Sequence, residues 1–126
     1  MRIFFDVDLT LLNSSPAGWA LRPRARQVLG CLKARGHEVY LWTATGQAHA
    51  QRVVQRYRLK PLVCACLDKD PNSPLLPDFI VDDDPYLVEK YGGVLVTPYR
   101  DPDPKDRELF KVLEYLDRLD PELVSG

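Results

Sequence analysis

Hydrophobic and polar positions fall into two rhythms along this chain. Short apolar runs rich in β-branched and aromatic residues occur at residues 3–5, 39–43, 62–67, 78–81 and 94–97, and each reads as a strand. Between them the apolar positions recur at three- and four-residue steps. Pro23 suits a first helical turn, Ala25, Val28, Leu29 and Leu32 form one face, and Gly36 ends it. The polar face of that helix takes Arg22, Arg24, Arg26, Lys33 and Arg35. A second helix is predicted over 46–58, with Ala50, Val53, Val54 and Tyr57 inward. A third follows over 85–91, and a fourth over 105–119 carries Leu109, Val112, Leu113, Leu116 and Leu119. Residues 13–19, 71–77 and 98–104 concentrate Pro, Gly, Ser, Asn or Asp and read as loops. The order β-α-β-α-β-β-α-β-α implies mostly parallel connections. The expected fold is a doubly wound α/β three-layer sandwich with a mainly parallel five-stranded sheet.

Composition narrows the class without changing that picture. With 126 residues and 45% hydrophobic content, residues 1–126 suffice for one domain with its own core and are too few for two. The net charge of -1 argues against a general nucleic-acid binder, although Lys and Arg dominate the first half and Asp and Glu the second. Cys31, Cys64 and Cys66 are an odd set without the paired spacing of a zinc site, and Met1-Arg2 leads directly into the first strand. No apolar stretch approaches the ~20 residues of a membrane span. These features predict a soluble, cytoplasmic protein.

The chemistry sits at the strand ends. After the first apolar run come Asp6, Asp8 and Thr10, alternate positions that share one side of an extended chain. Two carboxylates ~4 Å apart repel by ~4 kcal/mol at an effective dielectric of ~20, so a cation or a proton must relieve them. Thr43 closes the second strand, and Thr45 and Gly46 can offer backbone N–H groups where the next helix begins. The third strand runs into Asp68-Lys69-Asp70. The fourth ends in Asp82-Asp83-Asp84, costly beside a buried strand without a cation, and Asp84-Pro85 has the form of a helix cap.

Asp6-x-Asp8-x-Thr10 after an N-terminal strand, a strand ending in Thr43, a Lys after the third strand and an acidic pair after the fourth resemble the four motifs of the haloacid dehalogenase (HAD) superfamily of phosphotransferases. The resemblance spans the chain to residue 84. It implies the strand order 3-2-1-4-5 and a Mg²⁺-dependent phosphatase. Asp6 would be the nucleophile, ionised at neutral pH without help from a base. Asp8 would serve as acid and then base, and Thr43 and Thr45 would bind phosphate. Lys69 would hold the nucleophile and the phosphoryl group, with Lys60 the competing candidate. Mg²⁺ would be held by Asp6, the Asp8 carbonyl and Asp83, with Asp82 in support. There is no room for a cap domain, which implies a large or extended phosphorylated substrate, or a partner subunit that closes the site. Leu9 departs from the pattern, since many members carry Gly there.

Two rival classes share parts of this pattern. A phosphorylatable receiver domain has a similar length and an Asp/Thr/Lys site, but its acidic pair belongs to the first strand. A non-catalytic HAD-like phosphate-binding or protein-interaction module fits the same motifs. His37, at a helix–strand turn, and His49, expected on the solvated side of its helix, lack neighbours that suggest a role. The row Arg52, Arg56 and Arg58 reads first as a solvated helix face.

Overall fold

The computed structural model describes residues 1–119. Five strands form one parallel sheet: β1 (Arg2–Asp6), β4 (Glu38–Thr43), β5 (Ala65–Asp68), β6 (Phe79–Asp82) and β7 (Gly93–Leu95), in the spatial order β5-β4-β1-β6-β7. Counted along the chain within that sheet, the order is 3-2-1-4-5. It is not the 2-1-3-4-5 order of flavodoxin-like domains such as receivers. A separate two-stranded antiparallel hairpin joins β2 (Leu12–Ser15) to β3 (Gly18–Leu21).

Alternation along the strands sorts the core onto two faces. Ile3 and Phe5 of β1, Val39 and Leu41 of β4, and Phe79 and Val81 of β6 face one way. There they pack on α1 (Ala25–Ala34), α2 (Gln47–Arg56) and α4 (Phe110–Arg118), through Val28, Leu29, Leu32, Ala50, Val53, Val112 and Leu116. Phe4, Trp42 and Ile80 face the other way, against Leu87, Val88 and Tyr91 of α3 (Pro85–Tyr91) and Leu75 of the preceding loop. Helices thus cover both faces, giving the three layers. At Gly93 the backbone passes so close to β6 that an added Cβ would lie 1.9 Å from the Ile80 carbonyl oxygen, so only glycine fits.

Several elements differ from the sequence expectation. Residues 13–19, expected to be a loop, lie largely in the hairpin, because Leu12 pairs with Leu21 and Asn13 with Ala20 around the turn at Pro16-Ala17. The third strand begins at Ala65 rather than 62, since Lys60–Leu62 coil into a short 3₁₀ turn around Pro61. The last helix begins at Phe110 rather than 105, because Asp103 and Asp106 turn their carboxylates onto the N–H groups of Lys105 and Glu108 and hold that stretch in turns.

Arg22, expected on a solvated face, is 2% exposed. Its guanidinium pairs with both oxygens of Asp106 (2.9 and 3.0 Å) and donates to the carbonyls of Leu9, Thr10 and Thr97 (3.4, 3.3 and 2.7 Å). A buried arginine is tolerable only when its donors are satisfied in this way. The strut ties the loop after β1 to the chain beyond β7. Leu9 takes φ +66° in that loop, the left-handed region that favours glycine.

Candidate functional site

Asp6, Trp42 and Asp82 end up side by side because of strand register. Asp6 of β1 is paired with Trp42 of β4, and Phe5 is paired with Val81, which sets Asp6 beside Asp82. All three lie at the carboxyl edge of the sheet, where open α/β sheets bind ligands. Asp6 and Asp82 are 6% and 0% exposed, so two carboxylates are buried next to each other. Asp83, half-buried, adds a third, and one carboxylate oxygen from each lies within 4.8 Å of the others.

Lys69 answers part of that charge. It leaves β5 immediately after Asp68, crosses above the Trp42 ring at 5.4 Å, and places Nζ 2.9 Å from Asp6 Oδ1 and 2.9 Å from Asp82 Oδ2. Lys60, the competing lysine, lies exposed in the 3₁₀ turn ahead of β5, whereas the site is formed where the strands end. Burial pulls the Lys69 ammonium down, but Asp6 and Asp82 outweigh it and hold the group above its ordinary value. One ammonium among three carboxylates still leaves a deficit. Burial first, then the Asp82 charge, push the Asp6 carboxyl up to about 8 against the pull of Lys69. Asp82 is raised too, chiefly by burial. Without a further cation, burial and the neighbouring carboxylate thus favour the protonated form of Asp6.

Asp6 is held at both oxygens, since Thr10 Oγ1 donates to Oδ2 at 2.9 Å while Lys69 holds Oδ1. Thr10 is fully buried, and it reaches Asp6 from a turn rather than from an alternate position of one extended chain. Asp82 Oδ1 accepts the Asp84 N–H at 3.0 Å, and Asp84 in turn caps α3 through the Tyr86 N–H.

Thr43, 2% exposed at the end of β4, accepts the Thr45 N–H at 3.0 Å; among the described residues its own hydroxyl proton has no acceptor. Thr45 is placed differently from expectation. Its backbone N–H is taken by Thr43, and its hydroxyl donates to Asp8 Oδ2 at 3.0 Å, so its observed contacts hold the acid rather than offer a free amide to an anion.

Asp8 stands just beyond the strand and is gripped from three sides. Besides Thr45, Ser14 Oγ of β2 donates to Oδ1 at 3.1 Å, and His49 Nε2 of α2 lies 2.9 Å from the same oxygen. The His49 side chain is only 13% exposed, which overturns its expected solvated position. A signal for this existed, since His49 is in the first turn of the helix that leaves the Thr43 strand. The contact itself needs the unforeseen hairpin, because the Trp19 ring of β3 meets the His49 ring edge-on at 5.5 Å.

Two shallow cavities flank the carboxylates. One of about 180 Å³ opens beside Lys69 between Trp42, Leu87, Lys90 and Tyr91. The other, about 270 Å³, includes Asp83 with Thr97 and Lys111 in its wall. Each is smaller than the ~300–1,000 Å³ usual for pockets that bury a small ligand.

The arrangement offers a cluster of hard oxygen donors, a nearby ammonium, a buried hydroxyl and a fourth carboxylate, Asp8, outside the cluster. The Asp6, Asp82 and Asp83 oxygens suit a small hard divalent cation, which takes one or two carboxylates and completes its shell with water and phosphate oxygens. Among the described residues no helix is long and apolar enough to cross a membrane. Comparison with protein-family models finds no match for this chain, and comparison with curated proteins finds none either.

Proposed function

We propose that this chain is a Mg²⁺-dependent phosphomonoester phosphatase of the capless HAD type, acting through an aspartyl phosphate on Asp6. The observation that carries the reading is the convergence of Asp6, Lys69, Asp82 and Asp83 from three strand ends, with Asp8 adjacent and outside the cluster. A purely structural ion pair has no use for the uncompensated third carboxylate.

Asp6, Asp83 and the Asp8 carbonyl would hold Mg²⁺ with Asp82 in support. The ion would supply the positive charge that lets Asp6 ionise and a phosphate dianion approach. Lys69 keeps Asp6 oriented and offers its remaining proton to a phosphate oxygen, and Thr43 can donate its free hydroxyl proton to another. An Asp6 oxygen attacks phosphorus, forming the O–P bond as the bond to the leaving oxygen breaks. Asp8 gives that oxygen a proton. The resulting Asp8 carboxylate then takes a proton from the water that attacks phosphorus, the Asp6 O–P bond breaks, and inorganic phosphate leaves.

The shallow cavities support a large or extended phosphorylated substrate, one that brings its own cover or meets a partner subunit there. The test is phosphate release from nucleotides, sugar phosphates, phosphopeptides and phosphorylated nucleic-acid ends, with Mg²⁺ or with chelator. Mg²⁺-dependent release that disappears in Asp6→Asn supports the reading. Metal-independent release, or release that survives Asp6→Asn, overturns it, and no release from any of these classes favours the non-catalytic binding module.

A further inference from the structure

A carboxylate has about four lone-pair sites, two on each oxygen. At Asp8 they are unequally filled. Oδ1 takes the Ser14 hydroxyl at 3.1 Å and faces His49 Nε2 at 2.9 Å, which uses both of its sites. Oδ2 takes only the Thr45 hydroxyl at 3.0 Å and keeps one site open. We propose that His49 is a positioning residue: with Ser14 it saturates Oδ1 of Asp8, and so reserves Oδ2 as the oxygen that passes a proton to the leaving group. This rests on the phosphatase reading and adds to it which oxygen carries the proton and what aims it.

His49 is the stiff member of the trio. The Asp8 side chain is 31% exposed and stands outside the strand, so without a fixed partner it would sample other rotamers. The serine and threonine hydroxyls adapt by rotating and restrain it little. The imidazole is itself packed, because the Trp19 ring meets it edge-on at 5.5 Å and the Arg56 guanidinium lies 5.2 Å above the Trp19 ring. A chain of contacts therefore runs from Arg56 through Trp19 and His49 to the Asp8 carboxylate. This assigns work to three residues that the resemblance left without any. Misplacing a reacting group by ~1 Å costs on the order of 100-fold in rate, which is the scale at stake here.

The step affected is the transfer in which the P–O bond breaks, its electron pair stays on the leaving oxygen, and that oxygen takes the proton from Asp8 Oδ2. Leaving groups that depart as stable anions need no proton. Values of kcat/KM with Mg²⁺ are therefore compared for p-nitrophenyl phosphate and 2-phenylethyl phosphate, in wild type, His49→Ala and His49→Gln. His49→Ala should lose ~10- to 100-fold more on the phenylethyl ester than on the nitrophenyl ester. His49→Gln, which keeps an N–H donor, should recover most of that difference.

Equal losses on both esters, no loss on either, or a Gln variant as impaired as Ala would overturn the proposal while the phosphatase reading stands. If the wild type turns over neither small ester, the phosphatase reading is decided by the larger phosphorylated substrates named above and the proposal by the NMR readout. Nitrogen-15 NMR of the metal-free protein gives a readout independent of turnover: the contact requires a proton on His49 Nε2, and a ring protonated on Nδ1 alone would contradict it.

Discussion

The ammonium of Lys69 lies 2.9 Å from Oδ1 of Asp6, a contact between residues 63 positions apart that joins the ends of two strands separated in the sheet by β4. It is the one cation within hydrogen-bond reach of the buried carboxylates among the described residues, and it also reaches Asp82. Lys69→Met should therefore do two things. Turnover should fall by ~100- to 1,000-fold, the scale of losing one group that stabilises transition-state charge. Without Mg²⁺, the variant should unfold more easily than wild type at about pH 8, where Asp6 is losing its proton, with a smaller deficit at about pH 5. Chemical denaturation at the two pH values checks the second effect, and a deficit independent of pH would contradict it.

The raised Asp6 carboxyl makes a prediction of definite sign. Its pKa lies at about 8 in the folded protein against an ordinary 3.8, so the metal-free fold holds a proton that the unfolded chain releases. That contribution to stability is complete below the ordinary value and is lost as the pH rises through about 8. On the proposed reading Mg²⁺ would bind the ionised cluster, so its stabilisation should run the other way, raising the melting temperature more at about pH 8 than at about pH 5. Thermal melts with and without Mg²⁺ measure both trends. Asp6→Asn should flatten the metal-free dependence.

Asp83 adds a carboxylate to the cluster without taking up Lys69, which makes it the group most available to a metal. Asp83→Ala should weaken Mg²⁺ binding at least tenfold, about 1.4 kcal/mol, with the fold retained. Titration calorimetry reads this directly, and unchanged affinity would remove Asp83 from the metal site.

Arg22 predicts a coupling between stability and the site. Arg22→Met removes the donors that hold the Leu9, Thr10 and Thr97 carbonyls and leaves Asp106 without its partner, at a cost of about 3–5 kcal/mol. Burial pulls the Asp106 carboxyl up, but the Arg22 hydrogen bond, the Glu108 N–H and the Arg22 charge together hold it below its ordinary value. Its contribution is therefore present at neutral pH and lost as the medium becomes acid enough to protonate it. Since the same strut pins the loop that carries Asp8 and Thr10, activity in Arg22→Met should fall even at temperatures where the variant remains folded.

The parts of the site that could be read from the sequence are those fixed by position along a strand. Asp6, Thr43, Lys69, Asp82 and Asp83 each follow an apolar run, and a parallel sheet brings such ends to one edge whatever the loops do. The features that the sequence does not display depend on partners remote in sequence. Arg22 resembles any helix-face arginine until Asp106, 84 residues away, comes to meet it. His49 takes its place from Asp8, 41 residues earlier, and from a hairpin whose short polar strands carry no clear period-two signal. The position of Thr45 at a helix start points to its backbone N–H, yet its hydroxyl contact with Asp8 depends on how two strand ends face each other.

The central claim is that Asp6 becomes phosphorylated during turnover, and chemical trapping tests it most directly. Protein mixed with Mg²⁺ and p-nitrophenyl phosphate, quenched and treated with borohydride, would have an aspartyl phosphate reduced to homoserine. Peptide mass spectrometry should find homoserine at position 6, dependent on substrate and Mg²⁺. Sustained phosphate release with position 6 recovered only as aspartate, or with homoserine at another aspartate, would contradict the account.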